Sequence, residues 1–312
     1  MKHYQTLDDV HLVGVWLTIG SFDGVHLGHQ AILKGLTAGA HAVGAPAVVL
    51  TFHPHPAVVL GKRADFPYLT SPAERAALMA EMGVDVVITQ PFDRQLANLT
   101  ALEFMTRLHQ QLGLRHLCVG HDFALGRGRQ GDLPTLEHLG QDLGYTLSVT
   151  EPVDLDGERI SSSRVRAALA QGDVELASRL LGRPYQLSGA VVHGDGRGRT
   201  LGIPTANLEM WAGKTLPTPG VYACLAQVDG STYQAVTNVG YRPTFPGSPE
   251  APLVETHLLE FNRDLYQQQM ELAFIARLRD EQRFPNIQAL VAQIGADITQ
   301  ARHILAGTGP GK

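Results

Sequence analysis

Residues 18–29, TIGSFDGVHLGH, set two histidines three positions apart at the end of a Gly-rich turn. Apolar residues 12–19 read as a buried strand, Gly20, Gly24 and Gly28 mark tight backbone, and residues 30–42 read as a helix. Imidazoles at the mouth of such a turn can donate hydrogen bonds to a phosphate. A helix N-terminus beside them adds roughly 0.3–1 kcal/mol of favourable potential for an anion. The competing reading is a strand–turn–helix connection that happens to carry histidine, and spacing alone leaves both open.

Three more polar segments follow in the first half: TFHPHP at 51–56, VGHDFALGRGRQGD at 119–132 and ISSSRVR at 160–166. Pro54 and Pro56 stiffen the path around His53 and His55, which favours a role in shaping a loop over a shared metal. Asp122 and Phe123 follow a strand end, where a carboxylate and a ring can meet a nucleotide; the alternative for Phe123 is ordinary core. Ser161, Ser162 and Ser163 before Arg164 and Arg166 either cap a helix or, with the arginine forks, hold a polyphosphate. In the second half, GDGRGR at 194–199 is a loop whose backbone can approach phosphates closely. Thr205 and Asn207 of PTAN present two oxygens on one side of an extended segment, which suits Mg²⁺, or else form a local turn. Glu255, in an alternating strand, can accept a proton from a substrate hydroxyl or simply face solvent.

The elements that must position these groups change character along the chain. Strands expected at 12–19, 47–53, 84–89, 116–120 and 146–150 alternate with helices at 30–42, 72–82, 101–112 and 133–143. That alternation predicts a parallel sheet covered on both faces, with ligands at the carboxyl ends of its strands. TIGSFDG, TFHPHP and VGHDF all fall at those ends. Two short helices are expected at 161–171 and 174–181. Short strands then follow at 188–193, 221–228, 233–239, 253–261 and 270–278, with Asp229-Gly230 as a hairpin turn. This pattern predicts an antiparallel barrel, closed by an amphipathic helix at 287–306, and a domain boundary after residue 183.

The 312 residues are 44% hydrophobic and 18% charged, as in a folded chain, and the net charge of −5 offers no basic footprint for nucleic acid. Cys118 and Cys224 are too few for a disulfide framework and fit a reducing cytoplasm; Cys118, in an apolar run, reads as core. No apolar run is long enough to span a membrane, so no membrane partner is expected. Neither a GxxxxGK[ST] loop nor a GxGxxG turn after the first strand is present.

Together the segments resemble the bifunctional riboflavin kinase/FMN adenylyltransferase family of bacteria, the FAD synthetases, over nearly the whole chain. HLGH at 26–29 is similar to the HxGH element of nucleotidylyltransferases. ISSSRVR is similar to the family's ISSTxIR, with Ser163 where threonine is usual. The resemblance implies a Rossmann-like nucleotidylyltransferase domain over 1–183 and a β-barrel riboflavin kinase domain over 184–312. In the first, His26 and His29 would stabilise charge as the FMN phosphate attacks the α-phosphorus of ATP. Gly20, Phe22, Asp23, Gly28, His53, Pro54, Asp122, Phe123, Ser161, Ser162 and Arg164 would bind ATP and flavin. In the second, Glu255 would be the general base on the riboflavin hydroxyl, and Thr205 and Asn207 would hold Mg²⁺. There Gly194, Gly196, Arg197, Gly198, Asn238 and Arg242 would complete the ATP and flavin sites. Any homo-oligomer is expected to be weak. Two departures stand out: Glu260 where aspartate is common, and Gln267 where the family's DLYG has glycine. If that glycine needs a positive φ, the turn here must differ. The alternatives are an enzyme with only one activity and a non-catalytic flavin-binding regulator; the latter predicts loss of His29, Asn207 or Glu255, and all three are present. HxGH also occurs in aminoacyl-tRNA synthetases, but the acidic charge disfavours a nucleic-acid role.

Overall fold

The computed structural model describes residues 1–62, 66–194, 198, 202–243 and 250–307. Two compact units divide between Ser162 and Ser163. In the first, β1 (Lys2–Tyr4), β2 (Trp16–Ile19), β3 (Ala47–His53), β4 (Val86–Pro91), β5 (His116–Gly120) and β6 (Thr146–Thr150) form one sheet. Its order is β1-β4-β3-β2-β5-β6, and every pairing is parallel. The order reverses at β2, which opens a crevice at the carboxyl ends of β2 and β5. A short hairpin, β7 (Asp154–Leu155) and β8 (Glu158–Arg159), precedes the end of this unit.

Helices α1 (Leu27–Ala42), α2 (Pro56–Val59), α3 (Pro72–Glu81), α4 (Arg94–Asn98), α5 (Ala101–Leu112) and α6 (Leu133–Leu143) lie between the strands. Alternate strand residues face opposite ways, so the sheet has two cores. Leu17, Leu50, Ile88 and Leu117 pack with Met105, Leu108 and Leu136 from α5 and α6. Val49, Val87 and Cys118 pack with Leu33 and Leu36 of α1 and Met79 of α3. Burial raises the Cys118 thiol above its ordinary value, so it stays protonated as a small core group. The capping boxes Ser71–Glu74 and Thr100–Glu103 start α3 and α5, with Pro72 in the first turn as its position predicts.

The second unit begins with α7 (Ser162–Ala170), whose first residue belongs to unit one, and α8 (Val174–Leu181). These two helices pack with the barrel: Leu169 O accepts from Thr218 N, and α8 contacts β9 and β14. Strands β9 (Tyr185–Val192), β10 (Ala206–Met210), β11 (Gly220–Val228), β12 (Ser231–Pro243), β13 (Glu250–Leu258) and β14 (Gln269–Arg279) close into a barrel in the order β10-β13-β12-β11-β14-β9. Asp229 and Gly230 both adopt positive φ, 49° and 73°, the geometry that joins β11 to β12 with two residues. Gln267 takes φ 66°, so the turn expected to differ keeps the left-handed backbone, with glutamine in place of glycine. Its N–H still donates to Val191 O.

Helix α9 (Ile287–Leu305) lies on the outer barrel wall, where Ile298, Ala301 and Leu305 meet Val221, Ala223 and Val236. Asp297, almost fully buried on α9, accepts three hydrogen bonds from the Arg279 guanidinium at the end of β14 and one from Gln293. Removing one partner of such a pair strands the other, at about 3 kcal/mol. Asp297→Ala is therefore expected to lower the unfolding free energy of the barrel by about that amount, measured by denaturant titration.

Candidate active sites

β2 ends at Ile19, and the chain must then turn sharply to enter α1. Phe22 and Val25 do so at φ 48° and 43°, conformations that cost non-glycine residues about 1–3 kcal/mol each. Both side chains are buried, which returns about 1.5–3 kcal/mol each. Polar ties hold the turn as well. Ser21 O accepts from Arg75 Nη1 at 2.6 Å and from Thr51 Oγ1 at 3.0 Å. The buried Asp23 carboxylate accepts from Leu69 N, Thr70 N and Thr70 Oγ1, and Thr70 Oγ1 accepts from Gly24 N. Ser162 Oγ, 139 residues away, donates to Asp23 O at 2.8 Å.

His26 is the N-cap of α1: its Nδ1 accepts from His29 N at 3.3 Å. In the neutral ring that acceptor role leaves the proton on Nε2, a donor. The two imidazoles stack with centroids 3.6 Å apart, and Phe22 meets His29 edge-on at 5.1 Å. A Cβ on Gly28 would sit 3.2 Å from the His26 ring, so glycine gives the stack its space. Burial, then His26, then Arg75 hold the His29 imidazole well below its ordinary value, and its Nδ1 is buried without a partner among the described residues.

His53 closes β3 directly before Pro54, and burial and Arg75 lower its pKa. Tyr68 lies beside its ring, at 5.5 Å between centroids. His55 caps α2 by accepting from Ala57 N and stacks on Phe66, so it shapes the loop as expected. Asp122 follows β5, exposed, with its carboxylate 3.5 Å from Arg159 Nη1. Phe123 is half-buried against the core, the bland alternative of the two readings. Ser161 and Arg164 flank Ser162 at the start of α7. The turn, the β3 end and Ser162 thus come together; Asp23, by contrast, spends its carboxylate on backbone N–H groups of 69 and 70.

In the barrel, Asn207 of β10, Glu255 of β13 and Asn238 of β12 stand directly opposite one another across two antiparallel pairings. Directly paired residues share a sheet face, and this row faces outward, the side on which Val221 meets α9. The inward neighbours Thr237 and Thr256 hydrogen-bond each other at 3.1 Å. Asn238 Nδ2 donates to Glu281 Oε1 at 3.1 Å. A Cβ on Gly194 would fall 2.2 Å from the Asn207 amide nitrogen, and one on Gly198 would fall 3.2 Å from Thr205 Oγ1. Two glycine backbones therefore press against the two oxygen donors, a cradle open only to glycine. Thr205, just before β10, borders a cavity of about 390 Å³ lined also by inward-facing Val191, Ala206, Thr256 and Leu258 and by residues 261–266. Gly196 and Arg197, and the Arg242 side chain, lie outside what the structure describes.

A family model for FAD synthetase matches residues 9–164, and one for riboflavin kinase matches 181–305. A bifunctional riboflavin kinase/FMN adenylyltransferase of Pseudomonas fluorescens is 43% identical over 299 residues, 94% of each chain. Its counterpart in Escherichia coli K12 is 40% identical over 95% of each. The chain belongs to the bifunctional riboflavin kinase/FMN adenylyltransferase family. The Bacillus subtilis member is 38% identical over 91% of this chain and 90% of its own. A Streptococcus pneumoniae crystal structure described as a macrolide-efflux protein superimposes with a TM-score of 0.88 at 30% identity, covering 96% of this chain and 98% of that one. Among the described residues no helix is long and apolar enough to cross a membrane. Family membership accounts for the two distinct folds in one chain, each with its own polar cluster.

Arg75, Thr70 and Glu281 escaped the sequence reading. Arg75 sits in the first turn of a helix, where arginine ordinarily reads as solvated, and only tertiary burial marks it.

His29 and His53, both held below the ordinary histidine value, bind fewer protons folded than unfolded as pH falls below about 6.5. Stability is therefore present above that pH and lost on acidification towards the lowered folded values. Melting temperature is expected to fall from about pH 7.5 to about pH 5.5, and His29→Gln is expected to flatten that slope, as read by calorimetry at each pH.

Proposed function

We propose that this chain makes FAD in two ATP-dependent steps, with the adenylyltransferase site at the 20–29 turn and the kinase site on the Asn207–Glu255–Asn238 row. The observation that carries the reading is that each family-matched region gathers its own polar residues into one locality: stacked His26 and His29 beside Ser162 in the first, and three paired polar residues in the second.

In the kinase step, the Glu255 carboxylate takes the proton of the riboflavin 5′-hydroxyl as that oxygen attacks the γ-phosphorus of ATP. The bond to the β-phosphate oxygen breaks, giving FMN and ADP. General-base assistance of this kind is worth about 10²–10⁴ in rate. Thr205 and Asn207 supply hard oxygen donors, and the cradle formed by Gly194 and Gly198 keeps Cβ atoms away from them, so they fit Mg²⁺. When bound, the ion would neutralise phosphate charge.

In the second step, an FMN phosphate oxygen attacks the α-phosphorus of ATP and pyrophosphate leaves. His26 donates from Nε2 to a phosphate oxygen, and the free N–H groups at the start of α1 favour the same charge. His29, uncharged near neutrality, contributes a dipole without the repulsion that two adjacent imidazolium rings would suffer. Ser161, Ser162 and Arg164 bind the β- and γ-phosphates. The modules divide functionally after residue 183, as the kinase match from 181 and the start of β9 at Tyr185 support. ATP as substrate, with both thiols free and buried, fits work in the cytoplasm.

Single substitutions separate the steps. His29→Ala is expected to stop FAD formation while FMN accumulates from riboflavin and MgATP. Glu255→Ala is expected to stop riboflavin phosphorylation while supplied FMN is still converted to FAD. Flavins separated by chromatography give both readouts, and joint loss in folded variants argues against two sites.

A further inference from the structure

Arg75 is 1% exposed, an uncommon place for a guanidinium, and its Nε has no partner among the described residues. Its position is built by α3. Asp23 holds the amides of 69 and 70, the Ser71–Glu74 capping box starts the helix, and Arg75 follows one residue later. From there Nη1 reaches Ser21 O at 2.6 Å and Nη2 reaches Phe52 O at 3.4 Å. The two carbonyls belong to the turn after β2 and to the end of β3, neighbouring strands of the sheet.

We propose that Arg75 is a positioning residue of the adenylyltransferase site: its buried guanidinium draws the Ser21 and Phe52 carbonyls inward and so keeps the phosphate-facing side of the turn electropositive. In a planar trans peptide the carbonyl and the next N–H point in opposite directions. Drawing in Ser21 O therefore turns the Phe22 N–H the other way, while the His53 N–H beyond Phe52 O belongs to the pairing of β3 with β4. The site is left with the Phe22 donor and without two partial negative charges. The guanidinium's own charge acts through the thin wall of the turn, where little water screens it. The Asp23 carboxylate favours that charge against the cost of burial. Preorganised donors and charges of this kind cost nothing to reorient when pyrophosphate charge develops.

The proposal rests on reading the 20–29 turn as the adenylyltransferase site, and the experiment separates the two. Arg75→Gln, Arg75→Lys and His29→Ala are made in the full chain and assayed for FMN adenylylation. Riboflavin phosphorylation in the same preparations reports on folding of the other unit, and near-ultraviolet circular dichroism reports on native packing. Arg75→Gln is expected to lower kcat for FAD formation about 100-fold, with riboflavin phosphorylation unchanged, and Arg75→Lys to recover at least about tenfold of that loss. Rescue by the charged variant is a result that mere space-filling would not produce. Folded Arg75→Gln with wild-type adenylylation, or folded Arg75→Lys no better than Arg75→Gln, overturns the proposal. Should Arg75→Gln fail to fold, Arg75→Lys decides: adenylylation within about tenfold of the parent supports it, and a folded but inactive Arg75→Lys overturns it. If His29→Ala retains FAD formation, the reading of the site itself falls; if only Arg75→Gln retains it, the role of Arg75 alone falls.

Discussion

The adenylyltransferase half depends on one constraint: a strained turn, residues 20–26, must hold two left-handed non-glycine residues and still deliver His26 to the N-cap of a helix. Local sequence cannot stabilise such a conformation. The ties that do so come from four distant places: Thr51 on β3, residues 69 and 70 before α3, Arg75 on α3, and Ser162 on α7. Each supplies a partner that the turn's own peptide groups lack, and the buried Phe22 and Val25 side chains offset the backbone strain. The Arg75 guanidinium bridges the ends of the neighbouring strands β2 and β3, through Ser21 O and Phe52 O.

In the barrel the governing constraint is register. Asn207, Glu255 and Asn238 are far apart in sequence, yet two antiparallel pairings set them side by side on the outer wall. A slip of one residue in either pairing would send Glu255 to the interior beside Thr237. Register is held by the inward residues, fully buried Tyr222, Cys224, Leu272 and Phe274 among them, and by the closed order of the strands. Burial pushes the Cys224 thiol up to about 12, so it serves this core as an apolar group. On the outer wall, the buried Arg279–Asp297 pair secures α9, and two residues beyond Arg279 the Glu281 carboxylate takes the Asn238 amide. The closing helix and the Asn207–Glu255–Asn238 row are thus anchored by one short stretch of chain.

Legibility in the sequence followed burial. Strands β3, β5 and β6 and helices α5, α6 and α8 lie where periodicity and capping residues put them, because each shows an apolar stripe or run bounded by a polar cap or glycine. The missed elements have weak local signals. β1 is three residues long and is held by pairing with β4, and β10 is a five-residue segment whose alternation of apolar residues with Asn207 and Glu209 is too short to stand out. β2 is shorter than residues 12–19, since Leu12 N donates to Gln111 O in the last turn of α5 and Gly14 N to Gly113 O just after it, instead of extending the sheet. Gln267 shows the limit of a family expectation: a non-glycine residue takes the left-handed backbone there, and its N–H donates to Val191 O.

The candidate site residues were named from residue type and motif, since histidine pairs, hydroxyl runs and a carboxylate in an alternating strand carry their chemistry wherever they fold. The sequence by itself determined the two fold classes, most of the elements, and which side chains have chemistry to offer. Tertiary structure alone decided the contacts: the Asp23 carboxylate accepts from the amides of 69 and 70 and from Thr70 Oγ1, Asn207 meets Glu255, Ser162 reaches the turn, and Arg75 is buried beneath it. The physical reason is range. Propensity and periodicity act over a few residues, whereas a charge's partner, its burial and the direction of its donors are set by strands and helices that meet only after the chain has folded.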